Sequence, residues 1–391
     1  MSKRSMRREL MKRLGLASLG AAITPGLRFG GRAEKSTERS IYVGTYTNAT
    51  SRGIHLLRFD TATGRLKLVG LAAESVNPSY LAIAPGGRYL CAVNEVGNLN
   101  GQPVGGLTSF AISPQDGMLR QLNQVSSGGA SPCYVTVDPA GHHVLAANYS
   151  AGNLIVVPMG KDGLLGPASD FKQHRGSGGN LERQSGPRAH CVRFSPDRRF
   201  VFAVDLGIDK VMIYRWDPKQ GRLDPNNPGE FRTRAGAGPR HIDFHPNGRF
   251  AGVINELDST FISCAWDAGS GGLRELQTVS TLPDGFTGTN YCADVHFHPT
   301  GRFVYGSNRG HDSIVIWRVD GRTGRLELVG HESTGGRNPR NFVIDPTGRW
   351  LLAANQASDS IFVFRIDQKT GGLSRVGEPV NISMPVCLKF L

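Results

Sequence analysis

Short runs of alternating apolar and polar residues fill most of the chain, and this alternation predicts β-strands. Residues 241–244 form one such run, and residues 250–254 form the next. Between them stands Pro246-Asn247-Gly248, in which proline fixes its own φ and Asn-Gly tolerates positive φ, as a tight turn requires. This segment therefore predicts a β-hairpin. Two further alternating runs, at 261–266 and from Leu273, extend the hairpin to four strands.

The same hairpin occurs six times, and each copy is centred on a proline: Pro85, Pro139, Pro196, Pro246, Pro299 and Pro346. Consecutive prolines are separated by 54, 57, 50, 53 and 47 residues. A second motif, an aspartate followed by a turn and Gly-x-Leu, recurs at 60–66, 217–223, 320–326 and 367–373. A repeat of about 50 residues made of four short strands is typical of a β-propeller blade.

The two ends of the repeat region are incomplete in complementary ways. The chain ends in MPVCLKFL, an inner strand without its partner, and the region starts with IYVGTYT, a second strand without its inner strand. We therefore predict one all-β domain at 40–391, a seven-bladed β-propeller with four antiparallel strands per blade. The N- and C-terminal strands would close the last blade together, which leaves no free sheet edge in the ring.

Residues 1–33 match a twin-arginine signal peptide. Arg7-Arg8 lies in the expected pattern, and a modest apolar run follows at 14–23. We expect cleavage near Ala33, a linker at 34–39, recognition by the twin-arginine export machinery, and an exported protein in the periplasm or another extracytoplasmic location. The alternative is a disordered basic tail. No apolar run in the sequence is long enough for a membrane-spanning helix.

The net charge of the chain is +13, of which residues 1–33 contribute +7. The remaining excess of about +6 is moderate, so it favours small anions and gives little support for nucleic-acid binding. No glycine-rich strand–turn–helix motif and no G-x-S-x-G motif occur, and the six cysteines form no C-x-x-C pair. We predict a monomer that uses no cofactor and binds no nucleic acid.

Aligning the six hairpins in register separates constant positions from variable ones. Six residues before each proline, at the start of the inner strand, stand Ser79, Cys133, His190, Arg240, Ala293 and Arg340. Ten residues after it, at the end of the second strand, stand Glu95, Tyr149, Leu206, Glu256, Arg309 and Gln356. The residue before each of these is Asn or Asp, which we interpret as a structural side chain that holds loop backbone. Because the start of one strand neighbours the end of the next in an antiparallel hairpin, we expect both variable sets to converge near the central channel.

Arginines, carboxylates and one imidazole around such an opening suit a small anionic substrate, because a guanidinium group binds carboxylate or phosphate with two hydrogen bonds. The alternative is that these side chains are solvated loop charges. The pair His296-x-His298 resembles metal ligands, but His298 directly precedes Pro299 at the other end of its hairpin. We therefore predict no metal site.

Nearly all of residues 40–391 resembles the lactonase family of seven-bladed propellers, which includes bacterial 6-phosphogluconolactonases and fungal carboxymuconate-lactonizing enzymes. The segments that carry the resemblance are IYVGTYT, GAGPRHIDFHPNGRF, VINELDS, SNRGHDS, NPRNFVIDPTGR and ANQASDSIFVF. The polar positions shared with the family fall on His190, Arg240, Glu256, Arg309, Arg340 and Gln356. The family often has Pro-His-x-His where this chain has Pro187-Arg188-Ala189-His190, so Arg188 replaces one histidine of that motif.

The resemblance implies hydrolysis of a sugar lactone, of the 6-phosphogluconolactone or gluconolactone type, to the aldonate. His190 or Glu256 would then be the general base, and Arg240 would stabilise the oxyanion. The residues expected to bind and orient the substrate are Arg309, Arg340, Gln356 and His241. Export favours an unphosphorylated lactone, since phosphorylated sugars are mainly cytoplasmic. Two alternatives stay open: a carboxymuconate-type lactone cyclase, and a non-catalytic exported propeller that binds a ligand or partner.

Overall fold

The structure, a computed structural model of the chain, describes residues 37–48 and 50–391. The predicted signal peptide and residues 34–36 of the predicted linker lie outside the described residues. The described part contains 28 β-strands and two single-turn 3-10 helices, at Leu206–Ile208 and Gln356–Ser358. Neither of these described helices has the length or apolar character to cross a membrane.

In chain order the strands are β1 Glu38–Thr45, β2 Gly53–Asp60, β3 Leu66–Glu74, β4 Leu81–Ile83, β5 Tyr89–Asn94, β6 Gly106–Ile112, β7 Leu119–Ser126, β8 Pro132–Val137, β9 His143–Asn148, β10 Asn153–Pro158, β11 Asp170–Gln173, β12 Ala189–Phe194, β13 Phe200–Asp205, β14 Lys210–Asp217, β15 Arg222–Arg232, β16 Pro239–Phe244, β17 Phe250–Asn255, β18 Thr260–Trp266, β19 Leu273–Ser280, β20 Tyr291–Phe297, β21 Phe303–Arg309, β22 Ser313–Val319, β23 Leu326–Ser333, β24 Pro339–Ile344, β25 Trp350–Asn355, β26 Ser360–Ile366, β27 Leu373–Asn381 and β28 Pro385–Phe390.

These strands form seven antiparallel sheets of four strands, which confirms the predicted seven-bladed propeller. Six blades take their strands consecutively, from β4–β7 to β24–β27. The seventh has the order β28-β1-β2-β3, so its inner strand comes from the C-terminus and the other three from the N-terminal side, as predicted. Hydrogen bonds between β28 and β1 therefore join the C-terminal strand to the N-terminal strands within one blade, and this pairing closes the ring.

Ring side chains join neighbouring blades at the turn glycines of six of the seven blades. Gly371 has φ +80°, and a Cβ atom built there would lie 2.5 Å from the ring of Phe303 in the preceding blade. Gly64 meets the ring of Trp350 in the same way, also at 2.5 Å. Equivalent pairs are Gly163 with Tyr89, Gly221 with His143, Gly271 with Phe200, and Gly324 with Phe250. The ring always comes from the fourth residue after a repeat proline, so this contact explains why the turn glycine and the bulky residue recur together.

The nearly constant Asn or Asp at the end of each second strand is structural, as predicted. The amide of Asn148 donates to the carbonyl oxygen of Ser127 at 2.7 Å, and that of Asn308 donates to Thr281 at 2.7 Å. Both acceptors directly follow the outer strand of the preceding blade. These bonds fix the backbone beside the next residue, which belongs to the variable set.

Candidate active site

β-Bulges at the starts of the inner strands bring the variable residues to the channel. In the blade of β16 and β17, Pro239 pairs with Asn255 and His241 pairs with Ile254, so Arg240 has no ladder partner. The same omission occurs at Cys133, His190 and Arg340. Adjacent side chains of a regular strand face opposite sides, whereas a bulge bends the strand and re-aims them. Both the bulged residue and the residue after it therefore contact neighbouring blades around the channel.

Glu256 is the centre of the polar cluster at the channel mouth. It directly follows β17 and is 5% exposed. Its Oε2 accepts hydrogen bonds from Arg240 Nε at 3.0 Å and Arg309 Nη2 at 2.7 Å, and its Oε1 accepts from Arg183 Nη2 at 2.8 Å. Burial alone would raise the pKa of Glu256, but the three guanidinium groups lower it to about 2. At neutral pH this carboxylate is ionised and both of its oxygens are engaged.

A second carboxylate, Glu95, organises Arg340 through a tyrosine. The hydroxyl of Tyr46 donates to Glu95 Oε2 at 2.9 Å and accepts from Arg340 Nη2 at 3.0 Å. The Arg340 guanidinium also lies 5.5 Å from the centroid of the Tyr46 ring. Ser79 Oγ donates to the same carboxylate oxygen. The Arg340 side chain is therefore held in place before any ligand binds.

We call Arg183, Arg240, Arg309, Arg340, Glu256, Glu95, Tyr46 and His190 the mouth cluster. Its four arginines and two carboxylates leave a surplus of two positive charges. Burial and Arg240 lower the pKa of Arg309 to about 10, although Glu256 opposes that shift. Uncompensated positive charge in a buried place is unfavourable. The mouth cluster therefore favours an anionic ligand, as expected from the sequence.

His190 stands among these arginines as a neutral imidazole. It is 4% exposed, and its Nδ1 has no hydrogen-bond partner among the described residues. Burial lowers the pKa of His190 well below its usual value, and the surrounding positive charges lower it further. Its ring lies 5.6 Å from the ring of Tyr149 and 5.2 Å from that of His241, between centroids. At neutral pH the ring therefore has a free lone pair.

A second ring of side chains lies beneath the mouth cluster, one residue further along six of the seven inner strands. We call this ring the channel floor; its members are Tyr80, Tyr134, Cys191, His241, Asp294 and Asn341. Tyr80 and Tyr134 stack at 4.0 Å between centroids, and both rings present an edge contact to His241. None of the six is more than 6% exposed. The floor therefore packs tightly beneath the mouth.

Most, but not all, of the residues expected at the site are brought together. His190, Arg240, Glu256, Arg309 and Arg340 form the mouth cluster. His241 belongs to the floor, where its Nε2 faces Arg240 Nη1 at 3.2 Å. Gln356 is half-buried, and its amide oxygen accepts a hydrogen bond from Asn338 at 3.1 Å. Its contact is therefore with a neighbouring loop and not with the arginines.

Sequence reasoning missed Arg183, Tyr46 and Asp294. Arg183 lies on the connection between β11 and β12, which has no counterpart in the other repeats. Tyr46 occupies in the seventh blade the position of Glu256, because Thr45 pairs with Pro385 as Asn255 pairs with Pro239. Extending the register comparison across the two chain ends would have found it.

Cys133 also stands at the mouth, but it is not placed to act as a nucleophile. Burial raises the pKa of its thiol well above the usual value, so the thiol stays protonated at neutral pH. All six cysteines are buried and free. Among residues 37–48 and 50–391, no group of three or more His, Cys, Asp or Glu side chains is arranged to hold a metal ion.

Fold and site together define a seven-bladed propeller with a cluster of arginines at its centre. The family model described as "Lactonase, 7-bladed beta-propeller" matches residues 40–390. A 6-phosphogluconolactonase of Bacillus subtilis is 39% identical over 350 residues, which cover 90% of this chain and 97% of that protein. A 6-phosphogluconolactonase of Formosa agariphila is 32% identical, over 78% of this chain and 86% of that protein.

Among solved structures, the periplasmic gluconolactonase of Pseudomonas aeruginosa superposes with a TM-score of 0.84 at 37% identity, covering 90% of this chain and 99% of that chain. The chain therefore belongs to the lactonase family of seven-bladed β-propellers. Membership confirms the resemblance stated from the sequence and makes the protein a lactone-hydrolysing enzyme.

Proposed function

We propose that this protein hydrolyses a six-carbon sugar lactone to its aldonate at the mouth cluster, and that it prefers a lactone carrying a phosphate group. The observation that carries the proposal is the convergence of His190, Arg240, Arg309 and Arg340 in one cluster with a surplus of two positive charges. A phosphate group carries about −1.5 to −2 charge at neutral pH, which is opposite in sign to that surplus. The 6-phosphogluconolactonases among its relatives support the same substrate class.

His190 is the proposed general base. Its neutral imidazole would take a proton from a water molecule, and the resulting hydroxide would add to the lactone carbonyl carbon. The ring C–O bond then breaks, and the imidazolium returns its proton to the ring oxygen, which leaves as the alcohol of the aldonate. A substrate anion bound by the arginines would offset their charge and raise the basicity of the imidazole. Base catalysis would thus be strongest once substrate is bound.

Arg240 is the proposed oxyanion donor. Its Nε binds Glu256, and its Nη1 donates to the backbone oxygen of Ala293 and faces His241. These contacts fix the guanidinium plane and leave Nη2 as the amino group available for substrate. A fixed donor directed at the developing oxyanion typically contributes about 10²–10³ in rate.

Glu256 is assigned to orientation and not to proton transfer. Its two oxygens accept three hydrogen bonds from guanidinium groups, and its pKa of about 2 makes it a weak base at neutral pH. It holds Arg240 and Arg309 in register, while Glu95 and Tyr46 hold Arg340. Arg309 and Arg340 would bind the phosphate.

The test is a lactone-hydrolysis assay of the purified protein with spontaneous hydrolysis subtracted, comparing 6-phosphogluconolactone with gluconolactone. We expect a larger kcat/KM for the phosphorylated lactone, and a His190→Ala variant that loses at least about 100-fold in kcat. An Arg340→Gln variant should raise KM for the phosphorylated lactone and change that for gluconolactone little. Equal kcat/KM for both lactones, with both equally sensitive to Arg340→Gln, would contradict the phosphate preference.

Gluconolactone is the second candidate substrate, and the N-terminal sequence favours it. We propose that the twin-arginine motif at Arg7-Arg8 directs the folded monomer out of the cytoplasm. Unphosphorylated lactones are more accessible outside the cytoplasm than phosphorylated ones. The relative from Pseudomonas aeruginosa is named a periplasmic gluconolactonase. Cell fractionation of the full-length protein and of an Arg7→Lys/Arg8→Lys variant tests the export. A complete lack of hydrolysis of both lactones would favour the cyclase or the non-catalytic binding protein instead.

A further inference from the structure

Asp294 is a fully buried carboxylate in the channel floor, directly beneath the mouth cluster. It is 1% exposed and lies in the bulge of β20, where Ala293 and Asp294 together face Ser307 of β21. The bulge also frees the carbonyl oxygen of Ala293, which accepts a hydrogen bond from Arg240. The bulge of β20 therefore acts on the guanidinium group of Arg240 twice: directly through the carbonyl oxygen of Ala293, and through His241 by way of Asp294.

The carboxylate of Asp294 accepts hydrogen bonds from three neighbouring side chains. His241 Nδ1 donates to Oδ1 at 2.8 Å, His296 Nε2 donates to Oδ2 at 3.1 Å, and Asn341 Nδ2 donates to Oδ2. Burial alone would raise the pKa of Asp294, but His296 and His241 hold it well below the usual value. The ionised carboxylate of Asp294 is therefore a hydrogen-bond acceptor, and the side chains in contact with it are held as donors.

This arrangement determines which nitrogen of His241 carries the proton. Burial and Arg240 lower the pKa of His241 to about 3 despite the nearby Asp294, so the ring is neutral and has one N–H. Asp294 takes that N–H at Nδ1, which leaves Nε2 as an acceptor. Nε2 lies 3.2 Å from Nη1 of Arg240, which is a donor only. The opposite tautomer would place two donors against each other.

We propose that Asp294 is a positioning residue for the lactonase reaction: by fixing the tautomer of His241 it holds Arg240 with one amino group directed to the substrate. The kinetic test of this inference rests on the proposed hydrolysis. The NMR test rests only on the geometry of the channel floor. His241 then acts on the substrate through Arg240, in place of the direct contact expected from the sequence.

The kinetic test is an Asp294→Asn variant with two companions. The amide can turn its NH2 group towards His241 and reverse the tautomer, so we expect kcat to fall about 100-fold while KM for 6-phosphogluconolactone changes less than about threefold. The matched control is His296→Phe, which removes another donor from the same carboxylate and should keep kcat within about threefold. His241→Gln, whose amide oxygen still accepts from Arg240, should lose less than about tenfold.

The decisive comparison is the double variant. In a His241→Leu background neither a tautomer nor an amide orientation remains to be fixed, so Asp294→Asn should cost less than about threefold further in kcat. A loss of about 100-fold in both backgrounds would overturn the proposal, because it would mean that Asp294 supports the floor independently of His241.

A measurement on the wild-type enzyme does not depend on activity. ¹⁵N NMR of histidine-labelled protein, with the His241 signal assigned from its absence in His241→Gln, should show the Nδ1–H tautomer at neutral pH. An Nε2–H tautomer or an imidazolium would overturn the proposal. Failure of the wild type to hydrolyse any lactone would refute the proposed function instead and leave the tautomer result to decide the geometry.

Discussion

Replacing Glu256 by glutamine removes the charge that holds three arginines together. The folded-state pKa of Glu256 is about 2 against an ordinary value of 4.5, and each pKa unit corresponds to about 1.36 kcal/mol. The ionised carboxylate therefore contributes about 3 kcal/mol to the free energy of unfolding at pH 7. Breaking a buried ion pair by removing one partner costs a similar amount, about 3–5 kcal/mol. We expect Glu256→Gln to lose about 3 kcal/mol at pH 7.

The pH dependence follows from the sign of the shift. Because the pKa of Glu256 is lowered in the folded state, its contribution is complete above about pH 5 and declines as the pH falls towards 2. The stability difference between wild type and Glu256→Gln should therefore shrink to about 2 kcal/mol at pH 3.5. Urea unfolding followed by tryptophan fluorescence at both pH values measures this difference.

An exposed carboxylate on the loop that carries Arg183 provides the control. Glu182→Gln should change the free energy of unfolding by less than about 0.5 kcal/mol at either pH. If Glu256→Gln is as stable as the wild type at pH 7, or if its deficit is the same at pH 3.5, the buried ion cluster does not stabilise the fold as argued. A large loss of kcat in a variant of full stability would point to Glu256 as the base.

Three further perturbations test the packing and the mouth. Gly371→Ala combines φ strain with a clash against Phe303, whereas a Cβ atom at Gly377, which has φ +67°, would have no atom within 4 Å. Thermal unfolding should therefore show a loss of stability at least about 1 kcal/mol greater for Gly371→Ala than for Gly377→Ala. Equal losses would contradict the blade contact. Arg183→Met reduces the surplus positive charge and should raise KM for 6-phosphogluconolactone about fivefold with kcat within twofold, whereas an unchanged KM would remove Arg183 from the anion site. Tyr46→Phe, which breaks the link from Glu95 to Arg340, should likewise raise KM about fivefold for the phosphorylated lactone and less for gluconolactone.

The architecture was predictable from the sequence because a propeller repeats its local chemistry. Prolines, turn glycines and alternating strands each recur with the blade, so errors in any one hairpin are corrected by the other five. The closure by β28 and β1 followed from counting strands at the chain ends. These features depend on contacts within a hairpin or between adjacent blades.

The site was only partly predictable, because its geometry depends on departures from the repeat. Register comparison found His190 and Arg240, since both occupy the start of an inner strand. It could not show that the ladder omits these positions, so the next residue, such as Asp294 or His241, was not recognised as part of a second ring. Arg183 lies on an insertion, for which no repeat position exists to be compared.

The bulges also have a consequence for changing the substrate range of the enzyme. Each inner strand starts with one variable residue, and it stands outside the strand ladder at a bulge in the blades of Cys133, His190, Arg240, Arg340 and Val386, so these residues can be exchanged separately from the fold. Four of the seven carry small uncharged side chains: Ser79, Cys133, Ala293 and Val386. Introducing polar or charged groups at Ser79 and Cys133, whose blades contribute no arginine to the mouth cluster, would change which substrates the site recognises.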